Sequence, residues 1–356
     1  MTALAVPRGA GDLTASWLSA ALAGVADSAV VTEVSAVAVG NGMVADSVRL
    51  VLTWDRPTSA PLSVVAKVAA AEETSRAAAA ATRTYEIEAG FYNHLAPTVA
   101  VHRPACYLSR FDPDSGNYVV LLEDLAPAEA GDQITGCGVE DAAAAIPELA
   151  ALHGPRWADP TLLDMAWLDR PAPESARRTA ELLAMLYTGF VERYANRLEP
   201  DVLPLCERLM ASLEGYLAYR PPPWTVTHGD FRLDNLLFGG PRVAVLDWQT
   251  VKVGPAISDL SYFVGSALLP EARRTHEQAL VRLYHEGLRS AGVDMTWDAC
   301  WDAYRRYSFD GMVMGIAASM LVGRTERGDA MFMAMVNRHG RQALDLEAAR
   351  LLVTTP

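Results

Sequence analysis

The 356 residues carry 30 Lys and Arg against 43 Asp and Glu, a net charge of −13, and an acidic chain without clustered cations is not built to neutralise a nucleic-acid backbone. Apolar residues make up 51% and charged ones only 21%, which excludes a disordered polyelectrolyte and, at this length, predicts two structural units.

From the N-terminus, Asp12 to Ala23 places Trp17, Leu18, Ala21 and Leu22 on one helical face behind capping residues. The β-rich run AVVTEVSAVAV over 29–39 leads into Gly40-Asn41-Gly42, and an alternating strand resumes at Ser47. Such a turn serves equally to join two strands. The next strand, LSVVAKVAA, holds Lys67 alone among Val and Ala. A lysine there either lies on an edge strand facing solvent or needs a partner for its ammonium. Residues 71–81 read as an Ala-rich connector, and 82–95 as a helix with Ile87, Phe91 and Leu95 on one face and Glu88 beside it. Two further strands, ACYLSRF and YVVLLEDL, follow, and the apolar run stops at Glu123-Asp124-Leu125.

Beyond 139 the pattern turns helical: DAAAAIPELAALHG is rich in Ala and Leu, and 171–219 is helical by periodicity until Arg220 and three prolines break it. Then comes TVTHGDFRLDNLLFGGPRVAVLDWQ, 225–249. Short strands are predicted at 225–227 and 243–246 around the Gly239-Gly240 turn. Asp230 leaves the first strand, Asn235 follows five residues later, and Asp247 ends the last strand. Phosphoryl transfer needs this inventory: a carboxylate to take the proton of an attacking hydroxyl, and an amide oxygen with a second carboxylate to hold Mg²⁺. The plainer alternative is a hairpin with Asp in its turns and a structural His228.

HGDFRLDNLLF followed by VAVLDWQ resembles the aminoglycoside phosphotransferase and choline kinase superfamily, relatives of the protein kinases. Asp-Trp-Gln resembles the ecdysteroid-kinase-like (CHK kinase-like) branch, whereas Phe-Arg-Leu-Asp before the Asn is similar to the bacterial phosphotransferases. The resemblance implies an α+β, two-lobed protein-kinase-like fold, with a small antiparallel-sheet lobe over 1–124 and a mainly helical lobe over 125–356. It implies ATP between the lobes, Gly40 and Gly42 over its phosphates, and Lys67 on the α and β phosphates. It pairs Lys67 with Glu88, Glu86 being the alternative, and places a linker through Glu123 and Leu125 against the adenine. Asp230 is then the catalytic base, Asn235 and Asp247 the Mg²⁺ ligands, His153 structural, and Asp259 a brace for the catalytic loop or simply a capping residue.

The expected activity is ATP-dependent phosphorylation of a hydroxyl on a small molecule. No acid-rich loop suited to a polycation occurs through 271–341, whereas Trp297, Trp301, Tyr304, Tyr307, Phe309, Met312 and Met314 make that region apolar. Helical spacing of the first three fits a core stripe as well as a ligand site, and Asp298 suits a helix N-terminus. With the Asp-Trp-Gln resemblance, this composition favours a hydroxylated lipid, a sterol or a hydroxyacyl compound. The alternatives are an aminoglycoside or choline-type amino-alcohol kinase, and a catalytically silent nucleotide-binding regulatory protein. Cys106, Cys137, Cys206 and Cys300 are too far apart for a metal pair or disulfide framework. No apolar run reaches membrane-span length, and Pro7, Arg8 and Asp12 interrupt any signal-peptide stretch. A cytoplasmic protein is expected, with no nucleic-acid partner.

Overall fold

The structure, a computed structural model, describes residues 4–39 and 44–352. Two compact units result, one from 1–97, 103–127 and 247–250, the other from 98–102, 128–246 and 251–356.

In the first unit, helix α1 (Ala15–Ala21) starts where the Thr14 hydroxyl accepts from the Trp17 N–H at 3.3 Å, a side-chain cap that stands in for a missing intrahelical bond. Strands β1 (Val31–Ala38), β2 (Ala45–Trp54) and β3 (Ser63–Ala69) follow. Residues 71–81, expected as a connector, instead contain helix α2 (Glu73–Ala81), because an Ala run carries the highest helix propensity even without an apolar face. Helix α3 (Thr84–Gly90) continues into one π-type turn at Phe91–Leu95, and strands β4 (Cys106–Phe111) and β5 (Tyr118–Glu123) complete the unit.

The five strands form one antiparallel sheet in the order β1-β2-β3-β5-β4. Alternation along the strands sorts the residues: Val48, Leu50, Leu52, Val64, Ala66, Val68, Val119 and Leu121 pack with Leu18 of α1 and with Leu22, which caps its C-terminal end, so Lys67, out of phase with its neighbours, points to the opposite face. It lies on the central strand, aligned with Ser47 and Val120 on either side. The edge-strand alternative is thereby excluded.

The second unit is mainly helical. Strand β6 (Glu129–Ala130) precedes helices α4 (Val139–His153), α5 (Pro173–Tyr194), α6 (Val202–Ala211) and α7 (Leu213–Ala218). Four short strands follow: β7 (Thr225–Thr227), β8 (Leu236–Phe238), β9 (Ala244–Val245) and β10 (Lys252–Gly254). The chain ends in helices α8 (Ile257–Ala267), α9 (Pro270–Ser290), α10 (Trp297–Arg306), α11 (Asp310–Leu321) and α12 (Glu326–Asp345).

The strands expected at 225–227 and 243–246 do not pair with each other. Strand β7 pairs with β10, and β9 pairs with β8, which also pairs with β6. Gly239 makes the β8–β9 turn at φ +95°, a conformation side chains with a Cβ rarely adopt. The aromatic region near the C-terminus resolves as core: Tyr304, Tyr307, Phe309 and Met312 are buried, and Trp297, Trp301 and Tyr304 stack in series at 5.7 and 5.3 Å. Thr296 caps α10, with Asp298 in its first turn. Among the described residues no helix is long and apolar enough to cross a membrane.

Candidate active site

In the first unit the isolated charge of β3 meets two acids. Lys67 Nζ donates to Glu88 Oε1 at 2.8 Å and to Asp247 Oδ1 at 2.9 Å. Glu86, the alternative partner, instead takes the guanidinium of Arg83 at 2.8 Å; two residues along α3 puts it on another face. Burial alone would push Lys67 down, but the Asp247 and Glu88 carboxylates outweigh it and hold the ammonium above its usual range. Glu88 is buried and its Oε2 accepts from the Tyr118 hydroxyl at 2.5 Å. Burial and the Glu88 charge keep that phenol protonated far into alkaline pH, so it remains a donor. Asp247 reaches the pair from a left-handed backbone, φ 64°, which Asp tolerates better than most residues. Trp248 stacks on Phe91 at 3.8 Å, anchoring the segment that carries Asp247.

Of the other residues expected in this unit, Glu123 closes β5 and its carboxylate accepts from the Ala105 N–H at 3.1 Å. Leu125 is half-buried just beyond the strand. Gly40 and Gly42 lie outside the described residues.

In the second unit, β7 delivers the chain to a loop held by its backbone. Asp259, buried in the first turn of α8, accepts from the His228 N–H at 2.6 Å and the Gly229 N–H at 3.0 Å. His153 at the end of α4 adds a third contact to Asp259 at 3.2 Å and reaches the Tyr284 hydroxyl at 2.7 Å. Burial would raise the Asp259 carboxyl, but the hydrogen bond and charge of His153, with the contribution of His228, hold it below the usual range. His228 takes the Asp230 N–H on Nδ1 at 3.2 Å and meets the Leu246 carbonyl through Nε2 at 2.9 Å. The alternative of Asp259 as an ordinary capping residue does not fit, since α8 has no side-chain cap bond and both Asp259 oxygens are turned to the loop.

Asp230 follows at the loop's tip, its side chain 18% exposed. Asn235, five residues on, donates its amide to the Asp230 carbonyl at 2.9 Å and to Asp230 Oδ2 at 3.0 Å. With the NH₂ so used, the amide oxygen is the group left to bind a cation. Three residues in this arrangement went unremarked in the sequence. Arg232 bridges Asp230 at 3.0 Å and Asp234 at 2.5 Å. Tyr262 donates to Asp230 Oδ1 at 2.7 Å. Gln133 accepts from the Leu233 N–H at 3.0 Å and donates to the Ser266 carbonyl at 3.0 Å. For Tyr262 a signal existed: it stands three residues after Asp259, so one helix face carries both. A lone glutamine in a loop gives no comparable signal.

The model of the phosphotransferase enzyme family matches residues 44–298. The chain belongs to this family. As a family member it is a small-molecule kinase, transferring a phosphoryl group to a hydroxyl. Among solved structures, the fold is shared with a Ralstonia eutropha protein classed with the aminoglycoside phosphotransferases, at 19% identity and TM-score 0.54, covering 92% of this chain and 97% of that one. It is also shared with the macrolide 2′-phosphotransferase of Brachybacterium faecium, at 17% identity and TM-score 0.51, over 85% and 93% of the two chains. The choline kinase of Cryptosporidium parvum aligns at 10% identity and TM-score 0.52, over 88% and 89%. These likenesses establish the two-lobed, protein-kinase-like α+β fold. Mouse acyl-CoA dehydrogenase family member 10 is 38% identical over 148 residues, 37% of this chain and 14% of that protein's length.

Proposed function

We propose that this phosphotransferase moves the γ-phosphoryl group of ATP to the hydroxyl of a small, largely apolar molecule of the hydroxylated lipid, sterol or hydroxyacyl kind. The observation that carries the reaction is the Asp230 loop: an accessible carboxylate held by backbone and side-chain bonds, with an amide oxygen five residues away. Asp230 accepts the proton of the acceptor hydroxyl as the bond to phosphorus forms. Because the phosphoryl group is loosely bonded in the transition state, charge control and alignment are what the protein must supply. Lys67, held by Glu88, serves the α and β phosphates, and the chain through Glu123 and Leu125 takes the adenine edge.

The donor chemistry fits Mg²⁺. Asn235 offers an amide oxygen and Asp247 a carboxylate whose side chain is 28% exposed, hard oxygen ligands of the kind that hold Mg²⁺ alongside phosphate and water. Among the described residues no group of three His, Cys, Asp or Glu forms a metal cage, and Mg²⁺ bound through one or two protein oxygens needs none. Bound there, the ion would neutralise charge on the β and γ phosphates.

For the acceptor, the aromatic and Met residues near the C-terminus lend little support now that most lie in the core. The likeness over 148 residues to a protein named as an acyl-CoA dehydrogenase family member favours the hydroxyacyl member of the class. The test is a panel assay with radiolabelled ATP over hydroxyacyl compounds, hydroxylated lipids, sterols, choline and kanamycin. Labelling of the hydroxyacyl or lipid members, abolished in Asp230→Asn, is expected; efficient labelling of kanamycin or choline alone would overturn the acceptor class.

A further inference from the structure

The three donors around Asp230 are unevenly shared between its two oxygens. Oδ2 accepts from Arg232 Nε at 3.0 Å and from Asn235 Nδ2 at 3.0 Å. Among the described residues, Oδ1 accepts from the Tyr262 hydroxyl alone, at 2.7 Å. A carboxylate oxygen has two in-plane lone pairs, so Oδ2 is filled and Oδ1 keeps one place. We propose that Tyr262 is a positioning residue that, with Arg232, fixes the Asp230 carboxylate so that Oδ1 receives the acceptor hydroxyl. This rests on the reading of Asp230 as the base.

The surroundings of Tyr262 suit that task. Its ring is buried, and burial with the nearby Asp230 charge keeps its phenol protonated, hence a donor. It lies on α8 one turn after Asp259, which grips the backbone of His228 and Gly229; a single helical turn therefore fixes both the main chain and the side chain of the loop. Beneath it lies His339, with ring centroids 5.5 Å apart, and His339 is steadied by Gln342 at 3.1 Å. The room for His339 comes from two glycines. A Cβ on Gly311 would come within 2.0 Å of the ring and one on Gly265 within 2.6 Å. The filled Oδ2 and the supported Tyr262 leave the carboxylate no freedom to turn about its own bond, and a misplaced base forfeits rate without weakening binding.

The test is a double-mutant cycle on the full chain, using Mg·ATP with water as the probe acceptor and phosphate release as the readout, with nucleotide affinity measured by calorimetry. Tyr262→Phe keeps the ring and removes only the donor. The expected result is a kcat lower by about 10- to 100-fold, with the KM for ATP and the nucleotide Kd within twofold of the parent. In an Asp230→Asn background the same substitution should change the residual turnover by less than twofold, since there is no base left to orient. Turnover in Tyr262→Phe within twofold of the parent, while Asp230→Asn collapses, overturns the positioning role and spares the base. An equal fractional loss in both backgrounds shows a merely structural effect and overturns it as well. Full turnover in Asp230→Asn overturns the base assignment, and the proposal with it. Melting curves of each variant identify any that fail to fold, in which case Arg232→Lys, which leaves Tyr262 in place but loosens Oδ2, replaces it with the same expected split between kcat and KM.

Discussion

Lys67 shows how a single residue dictates its neighbourhood. An ammonium on the central strand of a sheet, its side chain only 14% exposed, needs partners within the protein, so two carboxylates bind it and a phenol holds one of them. Removing Glu88 as Glu88→Ala leaves Lys67 to Asp247 alone; the KM for ATP should rise by about tenfold or more, equivalent to at least ~1.4 kcal/mol, with kcat falling as well. With Asp247 as a Mg²⁺ ligand, as proposed above, Asp247→Ala should abolish the Mg²⁺ dependence of ATP binding, since that carboxylate would have no substitute in water. Calorimetry with and without Mg²⁺ checks this, and equal affinities in parent and variant would remove Asp247 from the metal site. Lys67 itself, its folded value raised, contributes stability that is complete below its unfolded pKa of about 10.4 and fades only as pH rises beyond it. Lys67 was legible in the sequence because it is chemically out of place in its run, Asp247 through the motif that also holds Asp230 and Asn235, and Glu88 through the family resemblance. Arg232 was not, because an arginine between two aspartates looks like ordinary surface, and Tyr262 was marked only by its spacing from Asp259, since a tyrosine beside Phe263 otherwise looks like ordinary core.

At the scale of elements, the loop holding Asp230 is fastened from several sides, and its fastenings are long-range. Gln133 joins the Leu233 N–H to the Ser266 carbonyl, and Arg338 of α12 donates to the Gln133, Ser266 and Ile134 carbonyls. Gln133→Leu is therefore expected to leave the Leu233 N–H without this partner, at a cost of about 1–3 kcal/mol, while the Ser266 carbonyl keeps Arg338; the loss is read as a lower melting temperature. Gly311→Ala should be worse than its size suggests, because the added methyl meets the His339 ring; a loss of about 1–3 kcal/mol is expected for such overpacking. The same long range explains which elements the sequence concealed. Periodicity identified the helices and the five strands of the sheet, since each signal is local. The pairing of β7 with β10 and of β8 with β6 joins segments too short for any period to register, and no strand was predicted at 236–238. The run at 71–81 misled for the opposite reason: Ala has helix propensity but no pattern.

For the whole molecule, acid stability follows from a histidine far from any surface. Burial drives His339 down to about 4 from its ordinary 6.5, so between those pH values the unfolded chain binds a proton that the folded one refuses. Its contribution is complete above about pH 6.5 and is lost as pH falls to 4, a change on the order of 3 kcal/mol. Unfolding midpoints measured from pH 7 to 4 should fall steeply, and His339→Asn should flatten that slope while lowering the midpoint at pH 7. The division of the chain has another consequence. The polypeptide enters and leaves each unit repeatedly, and the short excursion 247–250 returns to the first unit after the chain has spent more than a hundred residues in the second. A fragment ending at residue 127 would thus carry Lys67 and Glu88 but lack their companion Asp247. A chimera spliced from two homologous genes at that point would assemble the triad from two parents, so compatibility at these three positions, rather than sequence likeness across the join, would decide which hybrids survive recombination.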